Sequence, residues 1–170
     1  VDPVGGTREY RELGRVDGAV HVALWTRTAG LVSGAVALPA QQRVLDSRRV
    51  PASDVPARQP RLVVSRSRPP AYLEAVAAAV GAEWVQLGSA GAKAAAVVTG
   101  EFDAYLHDGG QFEWDSAAPV AVARAAGLHT SRLDGSELRY NQPNPYLPDL
   151  LVCRPELAAP LLAAVAAHRR

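Results

Sequence analysis

Apolar residues cluster in short runs separated by turn residues, and the first half of the chain carries three such runs close together. Ala19 to Trp25 and Leu31 to Leu38 each have strand length, and Gln42 to Asp46 forms a third, shorter segment. The gaps between them are short, which predicts an antiparallel meander. Ahead of them, Asp2-Pro3-Val4-Gly5-Gly6-Thr7 reads as a loop leaving a strand, because paired glycines permit tight turns and close backbone approach. Thr7 can cap a short helix from Arg8 to Leu13. His21, within the first run, reads as an ordinary strand residue facing solvent or a neighbour.

The pattern changes after residues Val50 to Arg61, where Pro51, Pro56 and Pro60 fall among small and charged residues as in a linker. Beyond it the predicted elements alternate. Leu62–Ser65 is a strand, Ala71–Val80 a helix closed by Gly81, and Glu83–Leu87 a strand. Ser89 caps a helix from Ala90 to Val98, and Phe102–Leu106 alternates as a half-buried strand. His129–Leu133 and Glu137–Tyr140 flank Asp134-Gly135, a two-residue hairpin signal. Asp149–Cys153 is a last strand, and Pro155 opens a final helix. The expected organisation is an α/β layered fold in two parts, residues 1–55 and residues 56–170.

Between these elements lies Gly109 to Ala118, with Trp114 and Asp115 leading an Ala-rich segment that ends at Gly127. Pro119 has no N–H and suits only the first helical turn, so the helix is expected to begin at Asp115 or Ser116. That places a carboxylate at a helix N-terminus, as a cap or as an outward-facing ligand.

Charge narrows the functional classes. Eighteen Lys and Arg against 17 Asp and Glu give a net charge of +1, which offers no footprint for a nucleic-acid polymer. No apolar run is long enough for a transmembrane segment and no signal peptide is evident, so a cytoplasmic protein is expected. Cys153, the single cysteine, lies in an apolar run and reads as a buried strand residue. The chain has no Met and opens on turn-forming residues, so upstream elements are expected to be missing.

Gly88-Ser89-Ala90-Gly91-Ala92-Lys93 resembles a glycine-rich anion loop but lacks P-loop spacing. It is either a strand-to-helix turn with a capping Ser or a ligand site at a helix N-terminus. Arg66 and Arg68 read as loop charges, with phosphate contact the lesser reading. Asp2 and Asp115 both stand beside small residues at element ends. Oxygen ligands so placed suit Mg²⁺, which keeps several waters and bridges to substrate phosphate.

Two of these stretches carry a resemblance. Asp2-Pro3-Val4-Gly5-Gly6-Thr7 resembles the Asp-Pro-x-Asp-Gly-Thr motif of the inositol monophosphatase superfamily, and Trp114-Asp115-Ser116-Ala117-Ala118 resembles its Trp-Asp-x-Ala-Ala motif. Gly88-Ser89-Ala90 matches the Gly-Ser step between them. Gly109 to Glu113, Arg132 to Gly135 and Arg139 to Asn141 are most similar to the bacterial branch that acts on 3′(2′),5′-bisphosphate nucleotides. The resemblance implies a layered αβαβα sugar-phosphatase fold lacking the N-terminal part of its first subdomain. It implies Mg²⁺-dependent removal of the 3′-phosphate from 3′-phosphoadenosine 5′-phosphate, a small phosphorylated substrate. Hydrolysis of inositol monophosphate or another sugar phosphate is an alternative, and an inactive fragment that binds phosphate or a partner is another.

By the same resemblance, Asp2, the Val4 carbonyl and Asp115 would bind metal. Gly6 and Thr7 would hold the phosphate, with Thr7 also orienting the attacking water. Val4, Gly5, Ser89, Lys93, Asp108 and Asp115 would line the substrate site. The motif's second Asp is Gly5 here, and the family's upstream Glu lies before Val1. Two of four carboxylate ligands therefore remain, which implies weak metal binding and low activity. Apolar faces left uncovered by an incomplete layer favour association, a homodimer among the outcomes.

Overall fold

A computed structural model describes residues 1–5, 11–12, 14–50 and 58–169. Most of the expected helix over residues 8–13, Gly6 and Thr7 with their expected phosphate contact, and most of the proline-rich segment lie outside the described residues.

The first sheet is an antiparallel meander, as the spacing predicts. It orders β1 (Asp2–Gly5), β2 (Ala19–Thr26), β3 (Gly30–Leu38) and β4 (Arg43–Asp46) side by side. Asp2–Gly5, read as part of an N-terminal loop, is thus a strand. Pairing of Asp2 with His21 and of Gly5 with Ala19 overrides the poor strand propensity of Pro and Gly, through a register shift between the two pairs.

The second sheet orders β6 (Glu83–Leu87), β5 (Arg61–Ser65), β7 (Ala104–Phe112), β9 (Tyr146–Cys153) and β8 (His129–Ser131). β5 runs parallel to β6 and β7, and β9 antiparallel to β7 and β8. Here β8 pairs with β9, and residues 137–140 form no strand. The Asp134-Gly135 turn closes instead through Gly135 N–H to Arg132 O and Arg132 N–H to Ser136 O. The anticipated hairpin is therefore a loop, and β8 finds its partner in the longer β9, whose residues 149–153 are buried.

Four helices are described: α1 (Leu73–Ala79), α2 (Ala90–Val98), α3 (Glu113–Ala125) and α4 (Pro155–His168). α2 and α3 fill the space between the sheets, burying Ala92, Val97, Val120 and Val122 with Val36, Leu38, Val63, Tyr105 and Leu150. α1 and α4 cover the far face of the second sheet, packing Val76, Leu161 and Val165 on Leu62, Leu106 and Leu151. The result is sheet, helices, sheet, helices, in agreement with the expected layered α/β fold. The outer face of the first sheet presents Val22, Leu24 and Val44 to solvent. No described helix is long and apolar enough to cross a membrane. Cys153 is fully buried, and burial pushes its thiol up to about 12, which fits an inert strand residue.

α3 seats on the first sheet through Gly34. A Cβ there would stand 2.7 Å from the Ala118 carbonyl oxygen and 2.8 Å from the Ala118 Cα, both backbone atoms that cannot rotate away. Gly34→Ala should therefore destabilise the protein by about 2 kcal/mol or more, read as a lower urea midpoint at unchanged m-value. A midpoint unchanged from the parent would contradict this close approach.

Candidate active site

Pairing with β2 turns Asp2 and Gly5 of β1 inward while Pro3 and Val4 stay exposed. Asp2 Oδ1 accepts the Val4 N–H at 3.2 Å, a local bond that fixes the carboxylate over the start of the strand. Its Oδ2 lies 3.4 Å from His21 Nδ1, and that nitrogen also lies 3.3 Å from the Trp114 carbonyl oxygen at the start of α3. His21 is only 1% exposed. Burial holds its imidazole below the usual range, against the opposing pull of Asp2 and the Trp114 carbonyl.

α3 begins at Glu113, two residues earlier than expected, with extended Phe112 as its N-cap. Asp115 is thus the third helical residue rather than the cap. Its Oδ2 reaches back to accept the Phe112 N–H at 2.7 Å. Glu113 anchors the same turn, accepting the Asn141 and Gln142 N–H groups at 2.7 and 2.9 Å. Pro119 falls inside the helix, where it can give no N–H to the Asp115 carbonyl. The assumption that this Pro marks the first turn is what displaced the expected start.

The structure brings Asp2 and Asp115 into one partly buried site. Burial raises the Asp115 carboxyl above its ordinary range, and the Asp2 charge adds to that rise. The Phe112 N–H, His21 and Arg68 act the other way. Arg68 donates to the Gly109 and Gly110 carbonyls at 3.0 and 2.9 Å, so this loop charge is fixed within electrostatic reach of Asp115. Two carboxylates of which one resists ionisation form a donor set that a divalent cation would relieve. Among the described residues no group of three or more His, Cys, Asp or Glu is placed to hold a metal ion. The pair therefore fits a cation that keeps water and substrate oxygens as its other ligands.

Ser89 caps α2 as the sequence predicts, accepting the Ala92 N–H at 3.4 Å. Its backbone is left-handed at φ 42° and ψ 131°, a conformation strained for any residue with a side chain. Two buried groups impose it. Lys93 Nζ donates to the carbonyls of Leu87, Gly88 and Ser89 at 3.4, 3.1 and 2.8 Å. Asp17, from the β1–β2 connection, accepts the Gly88 N–H at 2.7 Å and is itself held by Arg15. Lys93 thus braces the turn that carries Ser89. Asp17 went unnoticed in the sequence, where Asp17-Gly18 reads only as a turn.

Asp108 turns to the α1 and α4 side of the second sheet. It accepts the Tyr72 O–H at 2.6 Å and Arg169 Nη2 at 3.0 Å. The same Arg169 nitrogen bonds Asp149, and Arg132 holds Asp149 from the other side. Asp108 is thus part of a partly buried ion cluster that ties down the end of α4.

Comparison with known proteins adds to this geometry. Residues 1–170 match the inositol monophosphatase family. The chain belongs to that family. It is 53% identical to a 3′-phosphoadenosine 5′-phosphate phosphatase of Mycobacterium bovis, over 98% of this chain and 65% of the relative. A protein of the same description from Mycobacterium leprae is 52% identical over 97% of this chain and 65% of its own. The chain thus spans about two thirds of the length of these curated relatives. Among solved structures, CysQ from Bacteroides thetaiotaomicron, described as a bacterial member of the family, superimposes with a TM-score of 0.77 at 25% identity. That superposition covers 91% of this chain and 68% of the other. The family's expected pattern has a second Asp where this chain has Gly5. That space is not empty here. A Cβ on Gly5 would stand 2.9 Å from His21 Cε1 and 3.0 Å from Asp2 Oδ2.

Proposed function

We propose that this chain belongs to a metal-dependent phosphomonoesterase that removes the 3′-phosphate of 3′-phosphoadenosine 5′-phosphate, with Mg²⁺ as the ion and with activity reduced by Gly5. The convergence of Asp2 and Asp115, from motifs far apart in sequence, carries the reading. The 53% identity to a relative named for that reaction supports the choice of substrate.

Asp2, the Val4 carbonyl and Asp115 would hold the cation. When bound, it supplies positive charge to the phosphoryl oxygens and lowers the pKa of an attacking water. By the family resemblance, Gly6 and Thr7 would hold the phosphate, and Thr7 would orient the attacking water. The Ser89 hydroxyl meets the remainder of the substrate from a turn that Lys93 and Asp17 keep rigid, which limits motion that would misalign it. Asp108 acts at one remove, by fixing the middle of β7, the strand that leads into the Asp115 helix.

The test is phosphate release from 3′-phosphoadenosine 5′-phosphate and from inositol 1-phosphate, with and without Mg²⁺. The expected result is slow, Mg²⁺-dependent release from the nucleotide in preference to the polyol. Preference for inositol 1-phosphate would move the protein to the polyol branch. Release from neither, with phosphate binding retained, would make it a binding protein.

A further inference from the structure

We infer that His21 is a positioning residue for the carboxylate pair, its Nδ1–H bridging the Asp2 carboxylate and the Trp114 carbonyl so that the two metal-binding segments keep one fixed relation. This rests on the reading of Asp2 and Asp115 as ligands.

Both neighbours of Nδ1, Asp2 Oδ2 at 3.4 Å and the Trp114 oxygen at 3.3 Å, are acceptors. The proton of a neutral imidazole therefore belongs on Nδ1, the tautomer its surroundings assign. Asp2 lies on the first sheet, and Trp114 directly precedes Asp115 in the first turn of α3. One ring nitrogen thus hydrogen-bonds the start of α3 and lies against the carboxylate of β1, the two elements that bring the carboxylates together.

An ordinary core histidine would have its other nitrogen satisfied too. Among the described residues Nε2 of His21 is buried with no hydrogen-bond partner, which makes the ring a costly filler compared with an apolar side chain. The surroundings are nevertheless shaped to admit it. A Cβ on Gly91 of α2 would stand 2.0 Å from Nε2, and a Cβ on Gly5 would stand 2.9 Å from Cε1. Two glycines thus make room for a ring whose polar value lies only at Nδ1. Partners that orient metal-binding side chains typically change metal affinity ~10–100-fold when removed.

The experiment compares His21→Asn, His21→Gln and His21→Leu with the parent chain. Asn can place an N–H near the position of Nδ1, whereas Gln carries its amide further out and Leu has none. Mg²⁺ affinity is measured by calorimetry on metal-stripped protein, with melting temperature as the folding control. Nitrogen NMR of the parent reads the imidazole tautomer. The expected result is an Nδ1–H tautomer, Mg²⁺ affinity kept in the Asn protein to within about threefold, and a ~10–100-fold loss in the Gln and Leu proteins. Equal affinities for Leu and parent, equal effects of Gln and Asn, or an Nε2–H tautomer would each overturn the proposal. A parent that binds no Mg²⁺ would overturn it too, and would mark the ligand reading itself as the failure.

Discussion

Asp115→Asn is expected to abolish Mg²⁺-dependent hydrolysis while raising the melting temperature of the metal-free protein at neutral pH. Asn keeps an acceptor for the Phe112 N–H, so the start of α3 should survive. What it removes is a carboxylate whose ionisation is opposed by burial and by Asp2. The sign follows from linkage. A carboxyl raised in the folded state binds its proton more tightly there than in the unfolded chain. The stability this gives is fully present below the unfolded value and is lost as pH rises through the folded one. Above that point the parent carries a strained charge that the Asn protein lacks. The stability advantage of Asp115→Asn should therefore open as pH rises above the ordinary carboxylate range and vanish in acid.

Addition of Mg²⁺ should raise the melting temperature of the parent and leave the variant unmoved. Activity should fall at least ~100-fold, the scale of losing one preorganised charged group from such a site. A variant that still gains stability from Mg²⁺ would remove Asp115 from the ligand set.

Gly5→Asp should tighten Mg²⁺ binding by about tenfold or more and raise the rate of phosphate release, because ligand charge and number set affinity for hard cations. The same change should lower metal-free stability, since a third carboxylate would join two that already repel. The new side chain must also displace the His21 ring and the Asp2 carboxylate by a few tenths of an ångström, a shift small enough to leave the Nδ1 contacts of His21 in place. Calorimetry together with thermal melts with and without Mg²⁺ would read both effects. If affinity is unchanged, the space at position 5 is not part of the ion's coordination sphere.

Much of the fold was legible because its strands announce themselves locally. The runs at 19–25 and 31–38 have strand length and close turns, and both strands of the meander appear nearly as expected. Ser89 and Gly81 mark helix ends by chemistry that needs no tertiary partner. The misses depend on distant contacts. β1 exists only because β2 pairs with it, and Pro119 sits inside a helix whose first turn is held by Glu113 from across the 141–142 turn.

The site divided in the same way. Asp2 and Asp115 were visible through their motifs. Asp17, the Asp108 ion cluster and the role of His21 were not, since each is defined by a partner remote in sequence. His21 did leave a trace. It shares the inward parity of Ala19, which argued for burial rather than for solvent.

Gly34 and Ala118 have a last consequence. Asp2 rides on the first sheet, and Asp115 rides on the helix that Gly34 seats against that sheet. A cation gripped by both would act as a reversible staple between segments distant in the chain, so part of its binding energy becomes folding energy. Loosening the seat at Gly34 should weaken the grip on the ion, and a chelator should soften the packing around Ala118 without touching it.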